Sequence, residues 1–93
     1  MIVGFKCKLT EELWVTGKSK KLPPETLRIA LRKLLILHNA SELRDLQSPP
    51  SNHLESLCGN RKEQYSIRIN IRWRICFSWK NKHAYDVEII DYH

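Results

Sequence analysis

The hydrophobic pattern of this chain changes period halfway along. Leu27, Ala30, Leu31, Leu34 and Leu37 recur at steps of three and four, with Arg28, Arg32 and Lys33 between them. That spacing predicts an amphipathic helix, running from the Pro23-Pro24 pair to about His38 and stopped by Asn39. Upstream, Ile2 to Lys6 suits a short strand. Thr10-Glu11-Glu12-Leu13 predicts a short helix capped by Thr10 and ending near Thr16. Gly17 to Lys21 reads as a basic loop. Ser41 to Leu46 allows one more helical turn, and Gln47 to Asn52, with its Pro49-Pro50 pair, reads as a loop.

In the second half the period falls to two. His53 to Leu57 suits a short strand ended by Gly59-Asn60. Tyr65, Ile67 and Ile69 alternate with Ser66, Arg68 and Asn70. Trp73, Ile75, Phe77 and Trp79 alternate with Arg74, Cys76 and Ser78. After a turn at Asn81-Lys82, Tyr85, Val87 and Ile89 alternate with Asp86 and Glu88. Period two means one buried and one polar face, so consecutive strands form an antiparallel meander with the long helix on its apolar side. Ninety-three residues make one domain, 1–93, of the α+β class. The Trp73, Phe77 and Trp79 stripe is expected in the core.

The formal net charge of +6 sharpens this picture through its location. Residues 61–82 hold Arg61, Lys62, Arg68, Arg72, Arg74, Lys80 and Lys82 against the single acid Glu63, while acids and bases balance elsewhere. A charge excess confined to one segment is the footprint of a phosphate polymer. Three widely spaced cysteines, Cys7, Cys58 and Cys76, suggest neither a disulfide framework nor a metal knuckle. No metal or other cofactor is expected. No apolar run is long enough to span a membrane and the N-terminus lacks a secretion signal, so a cytoplasmic location is expected.

By register, Arg68 and Arg74 leave the face that packs on the helices and share the other one. The last residues, Asp91-Tyr92-His93, are an acid, a phenol and an imidazole. Cations that hold a phosphate, beside groups that move protons, suit a metal-free ribonuclease. His38 and His83 are expected to be structural. A non-catalytic RNA- or ribosome-binding module would share the basic sheet, and a regulator that binds an acidic protein partner is a third reading. The first two part at His93, whose loss stops cleavage in an enzyme and changes little in a binder.

At these residues the chain resembles the HigB-type toxins of bacterial type II toxin–antitoxin systems, within the RelE-like superfamily. The carriers are Leu43-Arg44-Asp45-Leu46, Pro49 to Leu57, Gly59-Asn60-Arg61, Gln64 to Asn70, Trp73 to Phe77 and Asp91-Tyr92-His93. The resemblance implies a compact microbial-ribonuclease-like fold, mainly antiparallel sheet packed against N-terminal helices. It implies cleavage of mRNA on the translating ribosome and neutralisation by a HigA-type helix-turn-helix antitoxin. Operator DNA is then met only through the antitoxin complex. On this reading Arg74, followed by Arg68 and Arg61, stabilises phosphorane charge, and Arg72 and Lys62 add backbone contacts. Asp91 serves as base or orienter of the 2′-hydroxyl, His93 as acid, and Tyr92 stacks on a base or bonds a phosphate oxygen. Some relatives carry lysine where this chain has Cys58, and histidine where it has Glu55, which shifts the load toward the arginines and the last three residues.

Overall fold

The chain's apolar periodicities resolve into two helices laid against a four-stranded sheet. A computed structural model describes residues 1–57 and 63–91. Helix α1 spans Lys8–Thr16 and α2 spans Pro24–Asn39. Two 3-10 turns follow, Leu43–Gln47 and Pro50–Asn52. The strands are β1 (Glu55–Ser56), β2 (Gln64–Arg68), β3 (Trp73–Lys80) and β4 (His83–Asp91). They pair in chain order, each antiparallel to the next.

The apolar positions meet as the alternation requires. Ile67, Ile75, Phe77 and Val87 from the sheet, with Leu13, Ala30, Leu34 and Leu37 from the helices, are almost fully excluded from solvent. Burial of each of these side chains other than Ala30 contributes about 1.5–3 kcal/mol. Trp73 is buried with them, whereas Trp79 packs on the cluster from its margin.

The N-terminal segment is less regular than a strand. It touches β4 through two isolated parallel bridges, Ile2 to Ala84 and Phe5 to Val87, each backed by backbone hydrogen bonds of 2.9–3.1 Å. The break between them falls at a bulge in β4. There Asp86 and Val87 together face Phe77, and Asp86 takes a left-handed φ of 51°. The bulge shifts the phase of the strand. Tyr85, expected to point inward, is exposed, and Ala84 is buried in its stead.

Two further expectations need correcting. Helix α1 begins at Lys8 with Cys7 at its N-cap, so Thr10 is an internal residue. Its hydroxyl is buried and accepts the Ile89 N–H at 3.1 Å, which ties α1 to β4. At the other end Gly17, at φ 74°, closes α1 by donating its N–H to the Leu13 carbonyl at 2.8 Å. The second correction is Lys33, expected on the polar side of α2 but buried. Thr26, Ala30, Lys33 and Leu37 form one stripe at steps of four, three and four, so Lys33 lies in phase with the core face.

No helix among the described residues is long and apolar enough to cross a membrane.

Candidate phosphate-binding site

Arg68 and Arg74 face each other directly across the β2–β3 ladder. Two cations so opposed repel, and the fold relieves this by treating them differently. Arg74 is buried. Its Nε donates to Ser66 Oγ at 2.9 Å, its Nη2 donates to the His53 carbonyl, and Nη2 pairs with Glu55 Oε1 at 3.0 Å. Glu55 itself stays exposed. The guanidinium of Arg68 is half-buried and makes no hydrogen bond or ion pair with any described residue. One arginine is therefore fixed and the other is available.

Both line an open groove of about 430 Å³, closed by His53, Leu54 and Glu55 on one side and by Asn70 and Ile71 on the other. The turn bearing Asn70 and Ile71 is held by the Asn70 side chain, whose Oδ1 accepts the N–H groups of Arg72 and Trp73 at 2.9 and 2.8 Å. That bond leaves Ile71 as the most exposed large apolar residue among those described.

The His53 carbonyl reaches Arg74 because His53 adopts a left-handed backbone, φ 44° and ψ 57°, which is costly for a residue with a Cβ. A buried polar network holds the loop in that shape. The Asn52 side chain is fully buried and donates to the Leu46 carbonyl at 3.0 Å and the Ser48 carbonyl at 3.3 Å. Its Oδ1 accepts from Lys33 Nζ, which also donates to Ser51 Oγ at 3.3 Å. Burial, and then the neighbouring Arg32 charge, push the Lys33 pKa below the usual lysine value. Helix α2 thus reaches Arg74 through Lys33, Asn52 and the His53 backbone. Sequence reading missed this chain. Its one legible sign was the in-phase position of Lys33 on the α2 stripe.

Asp91 does not join the two arginines. It stands opposite Trp73, and β3 side chains alternate, so it projects from the face opposite Arg74. There Arg72 binds Asp91 Oδ2 through Nε at 2.9 Å and Nη2 at 2.8 Å. Hydrogen bonding to Asp91, then its charge, raise the Arg72 pKa above the ordinary arginine value. The same guanidinium lies 5.1 Å from the centre of the Trp73 ring, and Lys21 Nζ lies 5.4 Å from it. Arg72 therefore serves the end of β4 rather than the groove. Arg61, Lys62, Tyr92 and His93 lie outside the described residues, as does Cys58. Among the described residues no three His, Cys, Asp or Glu side chains gather as a metal-ligand set.

The arrangement can grip an anionic ligand between a preorganised and an available guanidinium. Residues 3–93 match the family model described as the RelE-like toxin of the type II toxin–antitoxin system HigB. A protein from Vibrio cholerae named Toxin HigB-1 is 41% identical over 80 residues, covering 85% of this chain and 84% of its own. A protein from Proteus vulgaris named Endoribonuclease HigB is 30% identical over 93 residues, the full length of both. The two helices and antiparallel sheet agree with that α+β family fold. On a match of nearly its whole length, the chain belongs to the HigB family of RelE-like toxins from type II toxin–antitoxin systems.

Proposed function

We propose that the chain is an endoribonuclease that cleaves mRNA on the translating ribosome and so stops protein synthesis. The observation that carries this reading is the opposed Arg68–Arg74 pair in an open groove, one guanidinium fixed by buried hydrogen bonds and the other unpartnered among the described residues. The name of the Proteus vulgaris relative, identical at 30% of positions over the full length, supports it.

RNA brings its own nucleophile, the 2′-hydroxyl. It must be aligned with the adjacent phosphorus and lose its proton, the phosphorane must be stabilised and the leaving 5′-oxygen protonated. This chemistry requires no metal. Arg74 stabilises the developing charge without reorganising, because its donors and charge are already held in place. Arg68 closes on the phosphate as it binds. Asp91, paired with Arg72, fixes the end of β4 from which Tyr92 and His93 continue. Asp91 acts by orienting that end of the strand, the 2′-hydroxyl proton passes to solvent water, His93 as general acid protonates the leaving 5′-oxygen, and Tyr92 lies against a base or phosphate oxygen. Arg61 and Lys62 add contacts to the RNA backbone. A HigA-type helix-turn-helix antitoxin neutralises the enzyme, and operator DNA is bound only through that complex, in the cytoplasm.

The test is mRNA cleavage in a purified translation system, with and without ribosomes, by the wild-type chain and by His93→Ala. Ribosome-dependent cleavage that vanishes in the variant supports the reading. Undiminished cleavage by the variant removes His93 from the chemistry. A folded wild-type protein that binds ribosomes without cutting is a binding module instead.

A further inference from the structure

A second groove adjoins the first. It holds about 270 Å³ and is bounded by Arg32 and Lys33 of α2, Ser51 of the loop, and Arg68 of β2, over the apolar side chains of Ile29 and Ile69. His53 and Arg68 line both grooves, so the two form one channel bent around His53. Among the described residues no carboxylate lines the second groove, whereas the carboxylate in the first, Glu55, pairs with Arg74. Arg32 is exposed, and its guanidinium makes no hydrogen bond or ion pair with any described residue. Lys33 is committed to Ser51 and Asn52 and so forms the wall behind it.

We propose that this second groove is a subsite for the sugar–phosphate backbone of the substrate RNA, in which Arg32 takes the phosphate next to the one held between Arg68 and Arg74. The inference rests on the ribonuclease reading and names how its substrate is held. A channel that offers Arg68 and Arg32, each guanidinium without a partner among the described residues, over apolar walls that can meet a ribose or base face, suits a polymer of single negative charges. The phosphate at Arg32 is not the one cleaved. Arg32 therefore contributes to binding the strand and its register, and is a positioning residue.

The experiment is equilibrium binding of a noncleavable 2′-O-methyl RNA hexamer to the full chain across a range of salt concentrations. Arg32→Gln should weaken binding roughly tenfold at low salt and reduce the steepness of the log–log salt dependence by about 0.7. Arg28→Gln removes the same charge from an exposed position of the same helix that lines neither groove, and should change the slope far less. Equal effects of the two variants would overturn the subsite, since they would report only overall charge. Loss of antitoxin binding by Arg32→Gln with RNA binding intact would overturn it too, and assign the groove to an acidic protein segment. Ribosomal cleavage with no Arg32 effect sinks the subsite alone. An Arg32-dependent salt slope without cleavage supports the subsite and sinks the enzyme reading.

Discussion

Replacing Asn52 with alanine tests the buried network that holds the loop beneath Arg74. The substitution removes the acceptor of the Lys33 ammonium and leaves the Leu46 and Ser48 carbonyls without the amide that now donates to them. A hydrogen bond to a charged donor contributes about 1.5–3 kcal/mol and a neutral one about 1 kcal/mol, and buried groups left unpaired push the cost upward. With the side chain fully buried, the expected loss is about 3 kcal/mol. A domain of this size has roughly 5–15 kcal/mol in all, so the melting temperature should fall by roughly 15 °C. Urea unfolding of the purified chain measures the loss directly, and a cycle with Lys33→Met isolates the pair, with an expected coupling of about 2 kcal/mol. Where both proteins remain folded, Asn52→Ala should also cleave several-fold more slowly at saturating substrate, because the His53 carbonyl no longer steadies Arg74. A stability loss below about 1 kcal/mol, or strictly additive single changes, would refute the claim that Lys33 and Asn52 hold this loop.

Other perturbations probe other parts of the fold. Arg74→Lys keeps the charge but loses the planar fork that reaches Ser66, His53 and Glu55 together, so single-turnover cleavage should fall about 100-fold or more, and near-wild-type rates would count against Arg74 as the fixed cation. Thr10→Val retains shape but strands the buried Ile89 N–H, and thermal melts should show a loss of about 1–2 kcal/mol, with an unchanged melt detaching α1 from β4 in the energetics. The backbone N–H groups of Glu42 and Ser41, in that order, hold the Asp45 carboxyl below its usual range. A folded-state pKa lowered in this way gives stability that is present above the unfolded value near 3.9 and lost as pH falls through the folded one. Asp45→Asn should therefore flatten the acid limb of a stability–pH curve, and an acid limb as steep as the wild type's would contradict the assignment.

The sequence made the sheet legible wherever alternation was strict. Ile67, Ile75 and Phe77 fell where period two put them, and the placing of Arg68 and Arg74 on one face followed from it. Tyr85 failed because a bulge inserts a half-step that alternation cannot register, and Asp86 carries no glycine to announce its left-handed turn. Thr10 failed because its residue type suits a cap, while a distant strand amide competes for the same hydroxyl. The difference between Arg68 and Arg74 was illegible for a similar reason. It depends on the His53 carbonyl and on Ser66, groups that tertiary structure brings to one guanidinium and not the other. Its place beside Tyr92 and His93 suggests Asp91 as a neighbour of those arginines. The pairing register sends it through the sheet to Arg72, a relation invisible without knowing which β3 residue it faces.

The two borders of the sheet are unlike. Along β4 the segment from Met1 to Lys6 already occupies the outward amides and carbonyls near Ala84 and Val87, whereas β1 offers only two residues among those described. A free strand edge is a template for another chain, and proteins blunt such edges by covering or shortening them. This fold does both, one at each border. A foreign strand arriving at β4 must first evict Ile2 and Phe5, and at β1 it finds, among the described residues, a ladder of only two. Self-association by edge-to-edge pairing is thereby disfavoured, so a second copy does not compete for the strands that carry Arg68 and Arg74.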